Sequence, residues 1–214
     1  MRRRVALRPR LIAISDTALA PVPLLARAFE RLAELCTPGS LLVQLRDLEL
    51  SDRARLELAR TLREITAHYE QALAVNDRAD FALLIEADCL HLGDAGISTP
   101  EARKLAPELL ISRACHDPAQ AGRLETDLVL VSPIFAARKA RGALGLEGLR
   151  AACAAARQAV SPPLVYALGG IDAQNAASCL TAGAEGVAAI GALLDGRDPL
   201  LLVEALGIRR EKGR

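Results

Sequence analysis

Aromatic side chains are almost missing from this chain: no tryptophan, two tyrosines and three phenylalanines in 214 residues. The rings are Phe29, Phe81, Phe135, Tyr69 and Tyr166, scattered singly, so no stacking surface for single-stranded nucleic acid can be drawn. No charge sign dominates either. Lys+Arg 27 against Asp+Glu 26 leaves a net charge of +1, which removes the electrostatic case for nucleic acid or an anionic membrane as partner. The cluster Arg2, Arg3, Arg4, Arg8 and Arg10 is short and terminal, and residues 1–9 read as a solvated basic tail. No apolar run approaches the roughly 18 residues of a membrane span, and the N-terminal stretch lacks the apolar centre of a signal peptide; the expectation is a cytoplasmic protein. Five cysteines (Cys36, Cys89, Cys115, Cys153, Cys179) are odd in number, widely spaced and never in a C-x-x-C pair. They read as free, buried thiols rather than disulfides or zinc ligands.

What is present is a rhythm. Short continuous apolar runs recur at residues 11–14, 41–45, 71–75, 88–92, 109–111, 128–131, 164–168 and 185–190. Helical patterns lie between them: 21–36, Ser51 (a good N-cap) to about 69, 79–86, from Thr99 with Pro100 in the first turn, from Pro118, 145–160, 172–182, and a last one from about 198. Eight apolar strands alternating with eight helices predict one domain over residues 1–214, a parallel (β/α)₈ barrel near the short end for that fold.

Polar residues gather directly after the strands: Gln44, Arg46 and Asp47; Asn76 and Asp77; His91 and Asp94; His116; Lys139; and Gly169 with Gly170. In a barrel these positions converge on the carboxyl-end face, where active sites are built. The last quarter has a second signal. The seventh strand stops at Gly169-Gly170 and the eighth at Ile190-Gly191, and residues without a Cβ let backbone N–H groups approach an anion, with the helix after the Gly-Gly pair expected to add its positive end. A phosphate cradle is one reading and a plain tight turn the other. Each polar residue also has a bland alternative. Asp77 could cap the helix after it, His91 could be a satisfied core histidine, His116 a cap or surface residue beside Asp117, and Arg46 an ordinary ion-pair residue. Lys139 could be solvated, with Arg138 and Arg141 able to do its work. His68 reads as a surface residue.

Taken in order, Gln44-x-Arg46, Asn76-Asp77-Arg78-x-Asp80, His91-x-Gly93, Ser132-Pro133-Ile134-Phe135, residues 145–149, the Gly169-Gly170-Ile171 turn and residues 183–188 resemble the thiamine-phosphate synthase and TenI superfamily from about residue 11 to 194. The resemblance implies an enzyme that couples hydroxymethylpyrimidine diphosphate to thiazole phosphate, with Mg²⁺ on the diphosphate. It implies Gln44 and Arg46 on the pyrimidine and its diphosphate, Asn76 beside them, Asp77 on magnesium, Lys139 as the sixth-loop lysine, and Gly170, Ile190 and Gly191 on thiazole phosphate. Departures from the pattern cluster in the diphosphate and metal half. The family's second lysine falls on Leu48, the second magnesium aspartate on Gly96 with Asp94 as the nearest substitute, the fifth-loop serine on Ala114, and the sixth-loop threonines around Ala136 and Ala137. The TenI branch, similarly depleted, implies a thiazole tautomerase in which His116 moves a proton; a non-catalytic thiazole-phosphate binder is the third expectation. A homodimer is left open.

Overall fold

The computed structural model describes residues 7–47, 49–135, 142–196 and 198–211. Eight parallel strands close on themselves in sequence order: β1 (Leu11–Ile14), β2 (Leu41–Leu45), β3 (Ala72–Asn76), β4 (Cys89–Leu92), β5 (Leu110–Cys115), β6 (Leu128–Val131), β7 (Leu164–Leu168) and β8 (Gly186–Ala189), which returns to β1 through Ala13 beside Ala189. Around them lie α1 (Val22–Leu35), α2 (Asp52–His68), α3 (Ala79–Leu84), α4 (Thr99–Leu105), α5 (Gly145–Arg157), α6 (Ala176–Thr181), α7 (Gly191–Leu194) and α8 (Leu200–Ala205). The (β/α)₈ barrel expected from the apolar rhythm is therefore the observed fold. Among the described residues no helix is long and apolar enough to cross a membrane. All five cysteines are free and buried.

Successive strand residues face opposite ways, and here the alternation sorts two cores. Ile12, Ile14, Leu42, Ala72, Ala74, Cys89, Leu128, Leu130, Tyr166 and Ala188 fill the lumen. Their neighbours Leu11, Ala13, Leu41, Val43, Leu73, Val75 and Leu90 pack outward against Leu25, Phe29, Leu32, Leu58 and Leu62 of α1 and α2. Burial on both faces explains why the strands read as unbroken apolar runs. The same parity decides where the polar strand-end residues go. Gln44 continues the lumen series of Leu42, Asn76 that of Ala72 and Ala74, His91 that of Cys89, and Ser112 that of Leu110.

Four elements differ from the sequence expectation. β5 runs on to Cys115, because Ser112 alternates into the lumen without interrupting the ladder to β6. The segment after it forms only a 3₁₀ turn at Pro118–Gln120. α6 begins at Ala176 rather than 172: the Asp172 carboxylate accepts from Gln174 and Asn175 N–H, a local turn that competes with helix. α4 is capped by Ser98, with Glu101 completing a capping box, one residue ahead of the expected Thr99. Of the basic cluster, Arg8 pairs with Glu185 at 3.6 Å, and the Arg10 carbonyl accepts from Val187 N, so ordered chain begins ahead of β1; Arg2, Arg3 and Arg4 lie outside the described residues.

At the amino-terminal rim a device repeats. Gln71 Oε1 accepts from Leu41 N, Asp88 Oδ2 from Leu73 N, and Asp127 Oδ2 from Ile111 N, so a residue just before one strand satisfies the preceding strand. Arg63 holds Asp88 at 2.8 Å and Arg103 holds Asp127 at 3.1 Å. Asp127→Ala should leave the Ile111 N–H unsatisfied in the wall between β4 and β6. We expect a loss of about 1–3 kcal/mol in urea unfolding, whereas truncating an exposed arginine such as Arg53 should change it by under about 0.5 kcal/mol.

Candidate active site

The mouth at the carboxyl ends of β2 to β5 is built from the lumen-facing series just described. Gln44, 2% exposed, donates from Nε2 to Asn76 Oδ1 at 3.0 Å, and Asn76 donates from Nδ2 to Asp77 Oδ2 at 2.7 Å. Gly93 N donates to the other carboxylate oxygen of Asp77 at 2.9 Å. The backbone of Asp77 is left-handed, φ 56, a conformation that costs a non-glycine residue about 1–2 kcal/mol. Its amide is tied to the His91 carbonyl at 2.8 Å. The carboxylate is therefore held across the β3 and β4 loops; the cap position of α3 belongs to Arg78, with no side-chain cap. Arg78 is turned to the surface, bonded to Asp52 and Asp80 and stacked over Phe81 at 3.7 Å.

His91 Nδ1 lies 2.9 Å from Ser112 Oγ, with the ring buried in the lumen. Burial first, then the charges of Arg113 and Arg46, push its pKa down to about 4, so the imidazole is neutral near pH 7. This is the satisfied core histidine of the sequence reading. Arg46 follows β2 and donates from Nη2 to Asp16 Oδ2 at 3.1 Å. His68 is exposed, as expected.

His116, just past β5, reaches the Ser132 carbonyl through Nδ1 at 2.7 Å, with Ser132 Oγ at 3.2 Å from the same nitrogen. Its Nε2 is 3.3 Å from Asp94 Oδ2. Asp94 thus sits in the fifth-loop constellation, on a histidine, while Asp77 is bonded to Asn76 and Gly93. An open cleft of about 500 Å³ runs beside this pair, lined by Asp94, Arg113, His116, Asp117 and Gln120 among others.

Magnesium is tested by Gly96. A Cβ there would stand 2.5 Å from Asp77 Oδ1, so an aspartate at 96 could not share this loop with the Asp77 carboxylate as it lies. Among the described residues no group of three or more His, Cys, Asp or Glu is arranged to hold a metal. One fixed carboxylate suits Mg²⁺ only in its substrate-assisted form, in which phosphate oxygens and waters supply the other ligands. Among the described residues, Asp77 fits a magnesium ion that arrives with a diphosphate rather than one held by protein side chains alone.

Across the mouth, Gly169 and Gly170 have φ 104 and 70. A Cβ on Gly169 would press on Pro133 at 3.0 Å, so this turn needs glycine for shape as well as for close approach. Asn175 Nδ2 ties the Gly170 carbonyl at 2.9 Å. Ile190 and Gly191 follow β8 directly, Gly191 opens α7, and a Cβ there would meet nothing within 4 Å. The helix termini correct one expectation. α6 starts six residues beyond Gly170, so the terminus adjoining the glycines is that of α7.

The structure brings together Gln44, Asn76 and Asp77 by direct bonds, pairs Arg46 with Asp16 just past the end of β2, and joins Asp94 to His116. Lys139, its alternatives Arg138 and Arg141, and Leu48 lie outside the described residues. Sequence reasoning missed three partners. Ser132 was read only as part of a motif, although it follows a strand as His116 does. Ser15 and Asp16 follow β1 with no motif to mark them, yet they hold the second loop.

A family profile described as thiamine monophosphate synthase matches residues 11–193, the whole barrel from β1 to α7. A thiamine-phosphate synthase of Moorella thermoacetica is 41% identical over 167 residues, covering 75% of this chain and 77% of the relative. One of Albidiferax ferrireducens is 39% identical over 179 residues, 80% and 78% of the two chains. Among solved structures, a thiamine phosphate pyrophosphorylase from Pyrococcus furiosus superposes with a TM-score of 0.80 at 28% identity, covering 94% of this chain and 97% of its own. Identity and coverage on this scale, over the same strands that carry the polar mouth, show that the chain belongs to the thiamine monophosphate synthase family.

Proposed function

We propose that this protein is a thiamine-phosphate synthase, joining hydroxymethylpyrimidine diphosphate to thiazole phosphate with release of diphosphate. The observation that carries the reading is the unbroken run Gln44 to Asn76 to Asp77, with Arg46 two residues past Gln44 and held by Asp16. It combines neutral amide groups suited to a pyrimidine's ring nitrogens with a cation and an anion suited to a magnesium diphosphate. The glycine turns after β7 and β8 support thiazole-phosphate binding on the opposite side of the mouth, where barrels commonly hold phosphate.

In this reading Gln44 and Asn76 orient the pyrimidine, and Arg46 holds its diphosphate. Asp77 would ligate Mg²⁺, which when bound supplies positive charge to the departing diphosphate. The C–O bond to diphosphate breaks with its electron pair going to the leaving group, and the thiazole nitrogen bonds to the methylene carbon. Gly170, Ile190 and Gly191 hold the thiazole phosphate in line, and the family's sixth-loop lysine corresponds to Lys139. Substrates of this class and the absence of a spanning helix among the described residues fit a cytoplasmic enzyme.

A second reading has an observation of its own. His116 is oriented by Ser132 on one nitrogen and faces Asp94 on the other, an arrangement suited to moving a proton at a thiazole carbon. Purified protein given both substrates and Mg²⁺ should form thiamine phosphate, and chelation should stop it. Tautomerisation of thiazole phosphate without coupling, lost in His116→Ala, would replace the first reading by the second; thiazole-phosphate binding with neither reaction would overturn both.

A further inference from the structure

Arg46 is not a free surface arginine. Behind it, the loops after β1 and β2 are locked by a buried clamp: Ser15 Oγ donates to Asp47 Oδ2, Thr17 N donates to Asp47 Oδ1 at 2.5 Å, and Arg46 N donates to Ser15 Oγ at 2.9 Å. Ser15 is fully buried and Asp47 is 4% exposed. Asp16 stands on this clamp, and its own carboxylate is fixed at both ends. Oδ1 accepts from Ala18 N at 3.1 Å, closing the turn into α1, and Oδ2 accepts from Arg46 Nη2. The Asp16 side chain is 14% exposed and that of Arg46 34%.

We infer that Asp16 is a positioning residue, which through its bond to Nη2 aims the Arg46 guanidinium at the diphosphate of the incoming substrate. A planar guanidinium carries five N–H donors in a fork, so the same group can hold an aspartate with one edge and phosphate oxygens with others. A long arginine left to itself gives up rotamer freedom each time it grips a ligand. Asp16, tied to the backbone by Ala18, takes that freedom away before the substrate arrives. The opposite role, an anion competing with diphosphate for Arg46, would need a carboxylate able to swing aside. A carboxylate that closes its own backbone turn is badly suited to that.

The inference rests on the synthase reading for its substrate, and the two can fail separately. In the coupling assay, Asp16→Ala and Asp16→Asn should each raise KM for hydroxymethylpyrimidine diphosphate about fivefold, leaving KM for thiazole phosphate unchanged. In an Arg46→Ala background the same Asp16 substitutions should add nothing to KM for the diphosphate substrate, since Asp16 reaches that substrate through the Arg46 side chain. A purely structural aspartate would show its full effect in both backgrounds, and a competing anion would lower KM on removal; either result overturns the inference. If the wild type makes no thiamine phosphate, the synthase reading fails, and calorimetric binding of magnesium diphosphate to the same six proteins decides the role of Asp16 by the same pattern. Asp16→Asn keeps an oxygen for Ala18 N–H, so loss of the turn cannot account for a change it shares with Asp16→Ala.

Discussion

Asp77→Asn should lose at least about 100-fold in turnover while giving up only about 1 kcal/mol of stability. The asymmetry follows from what the carboxylate does. It is the one acceptor-only group in its run of side chains: Asn76 Nδ2 points at it, and because that amide is so oriented, its oxygen is presented to Gln44 Nε2. An asparagine in its place has the same shape and tolerates the left-handed backbone better than most residues, so the strand end and the contact to Gly93 can survive. One of its ends is now a donor facing a donor, hence the modest loss of stability. Its charge is gone, and with it the carboxylate that a magnesium diphosphate would need. Asp77→Ala should lose activity to the same extent and stability by more, as both the Asn76 and Gly93 donors lose their acceptor. Steady-state rates with chemical unfolding on the three proteins separate the effects. Turnover of Asp77→Asn within threefold of wild type would end the assignment of Asp77 to the metal.

The contrast between Asp77 and Asp94 also shows what one sequence can and cannot make legible. The eight strands were readable because each is built on a short apolar run buried in the barrel and closed by polar residues or glycine. Gln44, Asn76, Asp77 and His91 were readable for the same reason in reverse: each is a polar residue at or just past such a run. Parity then sends Gln44, Asn76 and His91 into the lumen, a step that needs only the side-chain period of two. Helix starts were less legible. At α6 the Asp172 turn wins locally over helical propensity, and at Pro118 a cap and a proline produce one 3₁₀ turn, since too few residues follow before β6. Partnerships between loops were not legible at all. Ser15 and Asp47 are 32 positions apart, His116 and Ser132 16, and Asp94 and His116 are joined only when the barrel closes. No spacing rule links such residues, so Asp94 could be named as a spare carboxylate but not as the partner of His116.

Stability should fall by about 2–3 kcal/mol between pH 7.5 and pH 4.5, and most of that fall should vanish in His91→Gln. The sign follows from protons bound in each state. In the unfolded chain His91 is an ordinary imidazole that protonates near pH 6.5, whereas in the fold burial holds its pKa down to about 4. Between those values the unfolded state carries the extra proton, so its contribution to stability is complete above about pH 6.5 and is lost as pH falls toward 4. Ser112 stands at hydrogen-bond distance from Nδ1, an arrangement a neutral ring satisfies in either tautomer. A charged ring would have to be desolvated in the lumen with the positive charges of Arg113 and Arg46 near it. Urea midpoints at half-unit steps of pH, for wild type and His91→Gln, measure the effect directly. Parallel curves for the two proteins would mean that His91 protonates freely in the fold. A neutral His91 also bears on the chemistry, because the imidazole then adds no positive charge to the mouth, and in the proposed reading Arg46 is a cation that would meet a diphosphate.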